Sequence, residues 1–180
     1  CLQAMRPLAR SAQHQLRLRL LEAVLGFVRG EIETGAVRVG ALLGDAIALG
    51  DVRVEIECRY ALANRAAADG RFDEAVQQLA AGERLARSAG EPRRAVALAA
   101  SMVMVLALRG QPRQALHEQQ RMLPLLAEHH ERATWTVLCA LQALQHVRCG
   151  ELDAGARAAQ QAQAAVLSSS IAAADLAMAL

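Results

Sequence analysis

Gly70-Arg71-Phe72-Asp73-Glu74-Ala75 is the stretch that decides the fold, because the chain repeats it in register. Gly30-Glu31-Ile32-Glu33-Thr34-Gly35 precedes it, and Gly110-Gln111-Pro112-Arg113-Gln114-Ala115 follows it at the same interval. Gly150-Glu151-Leu152-Asp153-Ala154-Gly155 continues the series. Each string opens on Gly and closes on a small residue, in a chain with only 12 glycines. The even spacing marks an internal repeat with a period of about 40 residues. A second punctuation falls midway, at Gly50-Asp51 and Gly90-Glu91, with His130-Glu131 and Ser170 in the later copies.

Outward from Ala75 the apolar and small residues recur at helical spacing, as Leu79, Gly82, Leu85, Ala86 and Ala89. Gln77, Glu83, Arg84 and Arg87 fall on the other faces. Each repeat unit therefore reads as two helices joined by tight glycine turns. The pattern predicts helices over 12–29, 33–49, 52–68, 73–89, 92–109, 113–128, 132–149 and 153–168, with another from 171 onward. Grouped in pairs, these give units of roughly 12–49, 52–89, 92–129 and 132–168 within one helical repeat domain spanning 1–180. Residues 1–9 read as the tail of a preceding helix. Pro92 and Pro112 sit just inside helix starts, where the missing N–H costs nothing. Pro124 falls inside a helical pattern and is expected to kink that helix or end it early. Ser168-Ser169-Ser170 reads as a helix-end linker. Val52 to Glu57 alternates briefly like a strand, but its register with the other copies makes it a helix start.

Composition agrees with an all-α reading. The 180 residues are 54% hydrophobic, with 40 Ala and 27 Leu, and only 2% are aromatic. A core of small and medium aliphatic side chains follows, and Ala, Leu, Arg, Gln and Glu all favour helix. Net charge is +2 with both signs interspersed, unlike the concentrated positive charge of a nucleic-acid binder, so no direct nucleic-acid contact is expected. Every one of the 20 basic residues is Arg, which removes phosphate-loop, Schiff-base and kinase lysines from consideration. Cys1, Cys58, Cys139 and Cys149 form no C-x-x-C and no disulfide framework, which points to a reducing cytoplasm. The longest apolar run, Ala95 to Leu108, is too short for the ~20 residues that span a bilayer, so no membrane association is expected. The opening at Cys1 and the stop at Leu180 within an apolar helical pattern suggest a piece of a longer protein.

Gly70-Arg71-Phe72-Asp73-Glu74-Ala75 resembles the turn between the two helices of a tetratricopeptide repeat, G-x-[FY]-x-E-A, and Gly150-Glu151-Leu152-Asp153 resembles it more weakly. The family places a small residue seven positions before the Gly. Ala23, Ala63 and Ala143 fit, and Val103 does not. It places another twelve after the Gly, where Gly82 and Ala162 fit and Leu42 and Met122 do not. The period is longer than the family's usual ~34 residues. The family's Trp is missing from its place, since Trp135 falls elsewhere, and the Pro that closes each repeat is absent. Units of this greater length are similar to the helical repeats in the sensor arms of bacterial regulators, such as maltose-activator-type LuxR regulators and proteins linked to diguanylate cyclases.

The resemblance implies a right-handed α-α superhelical solenoid of about four helix pairs, whose first helices line an inner groove. Carried onto this chain, the groove positions are Arg17, Leu20, Val24 and Phe27, then Glu57, Tyr60, Asn64 and Ala67. The third copy contributes Ala97, Ala100, Met104 and Ala107, and the fourth Val137, Ala140, Leu144 and Val147, with Arg148 beside them. The later positions make an unusually apolar groove. From Ala95 to Leu108 only Ser101 is polar, and a helix apolar all round is normally buried all round. Either a tight superhelix closes over that helix or a partner covers it, and Met102 and Met104 suit an adaptable contact.

Catalytic strings such as H-E-x-x-H, G-x-S-x-G and G-x-G-x-x-G are absent from the sequence, so no catalysis and no cofactor is expected. Cys139, His146 and Cys149 share one helix face, but a spacing of seven and then three suits buried packing better than a zinc site. His129-His130-Glu131 reads as a solvated turn. Tyr60 and Asn64 stand one turn apart and could hold a polar ligand. The leading expectation is a protein- or peptide-binding, signal-input module of a bacterial regulatory protein. The alternatives are a homodimerising stack and a small-molecule sensor that closes over a ligand.

Overall fold

The computed structural model describes residues 11–129 and 132–178, with side chains described for 11–122 and 135–166. These residues form eight helices: α1 (Ala12–Val28), α2 (Ile32–Leu49), α3 (Val52–Ala68), α4 (Phe72–Ser88), α5 (Pro92–Leu108), α6 (Pro112–His129), α7 (Arg132–Arg148) and α8 (Leu152–Met178). No strand occurs among the described residues, and the alternating Val52–Glu57 segment is the first turn and a half of α3.

The turns explain both the helices and the period. Gly30, Gly50, Gly70, Gly90, Gly110 and Gly150 all adopt positive φ, between 65° and 83°. At Gly70, the Arg71 N–H reaches back to the Ala66 carbonyl at 2.8 Å and the Gly70 N–H to Ala67 at 3.1 Å. This is a left-handed helix stop that satisfies carbonyls the helix leaves orphaned. The Arg71 carbonyl then accepts from Ala75 N–H at 3.1 Å, so one residue ends α3 and opens α4. The same backbone exchange recurs at Glu31, Asp51, Glu91, Gln111 and Glu151. α2 has 18 residues and a short connection, α3 has 17 and a connection one residue longer, so each helix with its turn fills half the interval from Gly30 to Gly70. The period exceeds that of a tetratricopeptide repeat because each helix carries nearly one extra turn of about 3.6 residues.

Helix starts follow local chemistry. Ser11 Oγ accepts from His14 N–H at 3.1 Å, and Asp51 Oδ1 from Val54 N–H at 3.2 Å. α4 has no side-chain cap but carries Asp73 and Glu74 in its first turn, which complement the helix dipole. Pro92 and Pro112 are the first residues of α5 and α6, as their sequence positions predict.

The chain forms two compact units, Cys1–Leu98 and Ala99–Leu180, with the boundary inside α5. In the first, α1 packs on α2, α2 on α3 and α3 on α4, with α1 also meeting α3. Leu16, Leu20, Ala23, Val39, Leu42, Ala46, Val54 and Cys58 form its buried cluster, with Phe27 and Leu62 packed against it. Each fully buried Leu contributes about 1.5–3 kcal/mol of hydrophobic stabilisation. In the second unit, α6 packs on α7 and α7 on α8. The small residues that close the turn strings, Gly35, Ala75, Ala115 and Gly155, are all buried.

Three sequence expectations are corrected. Glu83, placed on a polar face, is buried at 5% exposure beside Gly82, with its carboxylate accepting from Arg87 Nε and Nη2 at 3.0 and 2.8 Å. Pro124 does not end its helix early, since α6 runs on to His129. One lost N–H bond is offset by a helix whose Ala115, Leu116 and Met122 are buried. Ser168–Ser170 is no linker: α8 runs unbroken through it for 27 residues. Every described break carries a positive-φ glycine, and this segment has none. Serine costs a helix only about 0.5 kcal/mol relative to alanine, and Ala172–Ala174 follow at once. The expectations for residues 1–9 and for the 130–131 turn lie outside the described residues.

Candidate functional site

The groove positions carried over from the resemblance have different environments in the two units. In the first, Arg17 and Val24 are exposed and Leu20 is buried. Phe27 is half-buried, and its ring lies so close to Gly35 that a Cβ there would stand 2.9 Å from Phe27 Cε1. Phe27 therefore serves packing as much as surface. Glu57, Tyr60 and Ala67 are half-buried, Asn64 is exposed, and Ala97 is exposed on the first part of α5.

Ion pairs lace this face. Arg94 Nε donates to Glu57 at 2.9 Å and Arg94 Nη1 to Glu91 at 2.8 Å, while Arg53 Nε donates to Glu91 at 2.7 Å. The hydrogen bond from Arg53, and then Arg94, holds the Glu91 carboxyl below its usual range, and the Glu57 carboxylate raises Arg94. Two cations and two anions cancel, so this wall is polar but electrically balanced.

The second unit is different. On α7, Val137, Ala140, Leu144 and Val147 follow at i, i+3, i+7 and i+10 and are all exposed, Val137 and Val147 at 51% each. On α5, Met104 and Leu108 are exposed at 42% and 62%, Ala100 is half-buried and Ala107 is buried. Sequence reasoning left α5 either closed over or covered by a partner. The helix is in fact buried on most of its surface and open along one line, because Ala97, Met104 and Leu108 recur at i, i+7 and i+11. Arg148 Nη1 donates to the Ala107 carbonyl at 2.9 Å, which ties the C-terminal end of α7 to that of α5, and the open apolar residues of both helices lead toward that junction. Beside that junction, Gln111, Pro112, Arg113, Gln114, Arg148 and Cys149 line an open depression of about 390 Å³.

Tyr60 and Asn64 belong to the first unit and Arg148 to the second. Cys139 is buried and Cys149 half-buried, while His146 Nδ1 lies 2.6 Å from Glu151 Oε2. Among the described residues no group of three His, Cys, Asp or Glu side chains is placed to hold a metal ion.

Sequence reasoning missed two features. Gln119 and Gln145 are buried at 1% and 0% exposure. Gln119 Nε2 donates to the Leu138 carbonyl at 2.9 Å and to Gln142 Oε1 at 3.2 Å, but neither amide atom of Gln145 has a partner. The repeat register could have exposed Gln119, since it stands at the position after its turn glycine where Val39 and Leu79 are core. The second feature is a charge reversal. Glu33, Asp73 and Asp153 hold the third place after their glycines, but the third copy has Arg113 there, and α6 has no acidic residue in its first turn.

This all-α architecture of paired helices, with consecutive helices in contact within each unit, has the fold of a tetratricopeptide-like helical repeat. A crystal structure of a Podosopora anserina protein, described as a candidate kinesin light chain with nearly identical TPR-like repeats, matches with a TM-score of 0.73 at 12% identity. The match covers 94% of this chain and 83% of that one. No protein-family model matches the chain, and no curated protein does. The likeness shows the fold.

Proposed function

We propose that this chain is a protein-interaction module that binds a partner on the apolar strip of α5 and α7, without catalysis of its own. One observation carries the reading: Val137, Ala140, Leu144 and Val147 stand open in a row on α7, and Met104 and Leu108 stand open on α5, to whose end Arg148 ties α7. Contiguous apolar side chains at helical spacing mark an interaction surface, whereas scattered ones do not. TPR-like repeats generally mediate protein contacts, which supports the same reading by analogy of fold. No described helix is long and apolar enough to cross a membrane.

A photo-reactive benzophenone side chain at Leu144, in the chain expressed in its parent cell, tests this. A discrete adduct with a different protein, missing when the label sits at exposed Arg84 in the first unit, is the expected outcome. Equal labelling from both positions overturns the reading. An adduct only with another copy of the chain replaces it with the homodimerising stack.

The finer role is signal input to a bacterial regulator in the cytoplasm. Its support is the long repeat unit, similar to sensor-arm repeats, together with three free thiols, Cys58, Cys139 and Cys149. Replacing Leu144 and Leu108 by Asp in the parent gene should then abolish an induced response while leaving protein levels unchanged. An intact response counts against that role.

A further inference from the structure

We infer that the occupant of the α5–α7 strip is an amphipathic helical segment of a partner protein that carries carboxylates at the end lying over Arg113 and Arg148. The inference rests on the interaction reading above and adds the partner's chemistry.

The strip has a chemical direction. Along α7, exposed Val137, Ala140 and Leu144 lead to Arg148, which stands one turn beyond Leu144 on the same face. Along α5, Met104 leads to Leu108 in the same way. The Arg148–Ala107 bond joins the two ends, and Arg113 lines the depression beside them. An apolar track thus runs into a basic end.

That end is basic by sequence as well as by placement. The other three turn strings carry carboxylates, while Gly110 to Ala115 has none and bears Arg113. Arg113 and Arg148 pair with no carboxylate among the described residues, in contrast to Arg53 and Arg94 of the first unit. Glu151, in the turn between α7 and α8, is engaged by His146. The N–H groups of α6's first turn add a positive field with no acidic side chain to answer it. Aliphatic side chains on the strip and carboxylates at its end complement this surface, and a basic segment would be repelled from it.

Selection from a phage-displayed library of random helix-length peptides against the full chain tests both layers. The expected winners carry aliphatic residues at i, i+3, i+4 and i+7 with Asp or Glu clustered at one end. The best of them, resynthesised, should bind roughly three- to tenfold tighter than its Lys-ended counterpart at low salt. The gap should close at high salt, and Arg113→Glu, an exposed change, should reverse it. Leu108→Asp should abolish binding of both peptides. Winners that need Leu108 but show no charge preference, or prefer Lys and Arg, overturn the carboxylate inference and leave the interaction reading standing. Absence of any winner that depends on Leu108 sinks both. Leu108-dependent self-association in sedimentation, outcompeting every peptide, assigns the strip to a second copy and overturns the inference.

Discussion

Gln145 and Cys58 show how single buried side chains set the chain's chemistry. Gln145 is fully buried with both amide atoms unpaired, so folding strips its hydration without replacing it. Gln145→Met keeps the side chain's length and removes the polar atoms. It should raise the unfolding free energy by about 1–3 kcal/mol in urea titrations. Gln119→Leu should gain less, because it also gives up the bonds to Leu138 and Gln142. Cys58 is buried among Leu16, Ala23 and Val54, and burial, with Glu57 and Glu55 nearby, pushes its thiol up to about 12 from 9.0. A raised acid pKa means the folded state favours the neutral thiol. The stability it supports is complete below pH 9.0 and is lost as pH rises from there toward about 12. Burial raises Cys139 in the same direction. Unfolding free energies measured from neutral pH to above pH 9.0 should fall more steeply in the parent chain than in Cys58→Ala. Parallel slopes refute the assignment.

At the scale of the helix pair, stability comes from close approach beside each turn. Ala75 is 0% exposed where α4 leaves the turn, and its counterparts Gly35, Ala115 and Gly155 are buried too. Ala75→Leu should overpack this contact and cost about 1–3 kcal/mol, read as a lowered thermal midpoint. An unchanged midpoint would mean that the repeat register is wrong. Gly35→Ala should cost a comparable amount despite the small change, because the new Cβ would stand 2.9 Å from the Phe27 ring. These contacts were legible in the sequence because a fixed repeat register demands the same small residue at the same place. The helix ends at Gly30, Gly70 and Gly110 were legible too, since only glycine enters the left-handed region at little cost. The run through Ser168–Ser170 was not, because serine is a weak breaker and nothing local shows which way the balance falls. Burial of Glu83 was hidden for a different reason: its partner Arg87 lies one turn away on the same helix and gives no periodicity signal. Of the candidate site, the row on α7 followed from the groove positions that the resemblance implies, whereas the Arg148–Ala107 junction required two helices far apart in sequence to meet.

Taken whole, the chain spends its polar interactions unevenly, and this predicts where it opens. In Cys1–Leu98, ion pairs tie successive repeats together: Arg17 to Asp51, Arg65 to Glu33, Arg53 to Glu91 and Arg94 to Glu57. Each exposed pair is worth no more than about 1 kcal/mol, but they reinforce a core that has no unpaired buried polar side-chain atom among the described residues. In Ala99–Leu180, by contrast, Gln111, Gln119 and Gln145 all leave buried amide atoms unpaired, and Met104, Leu108, Val137, Leu144 and Val147 remain open. Pro124 removes one more backbone bond from α6. In a stack whose stability is close to a sum over repeats, such differences appear as separate opening energies. Native-state hydrogen exchange in low urea should therefore find amides of α3 and α4 exchanging only through the highest-energy opening, and those of α7 through a lower one. Gln145→Met should raise the α7 opening energy and leave that of α3 unchanged. A peptide that occupies the apolar strip should do the same, by linkage. Equal protection of α3 and α7 in the parent chain would mean that the two units open together, and that the unpaired glutamines are not where stability is lost.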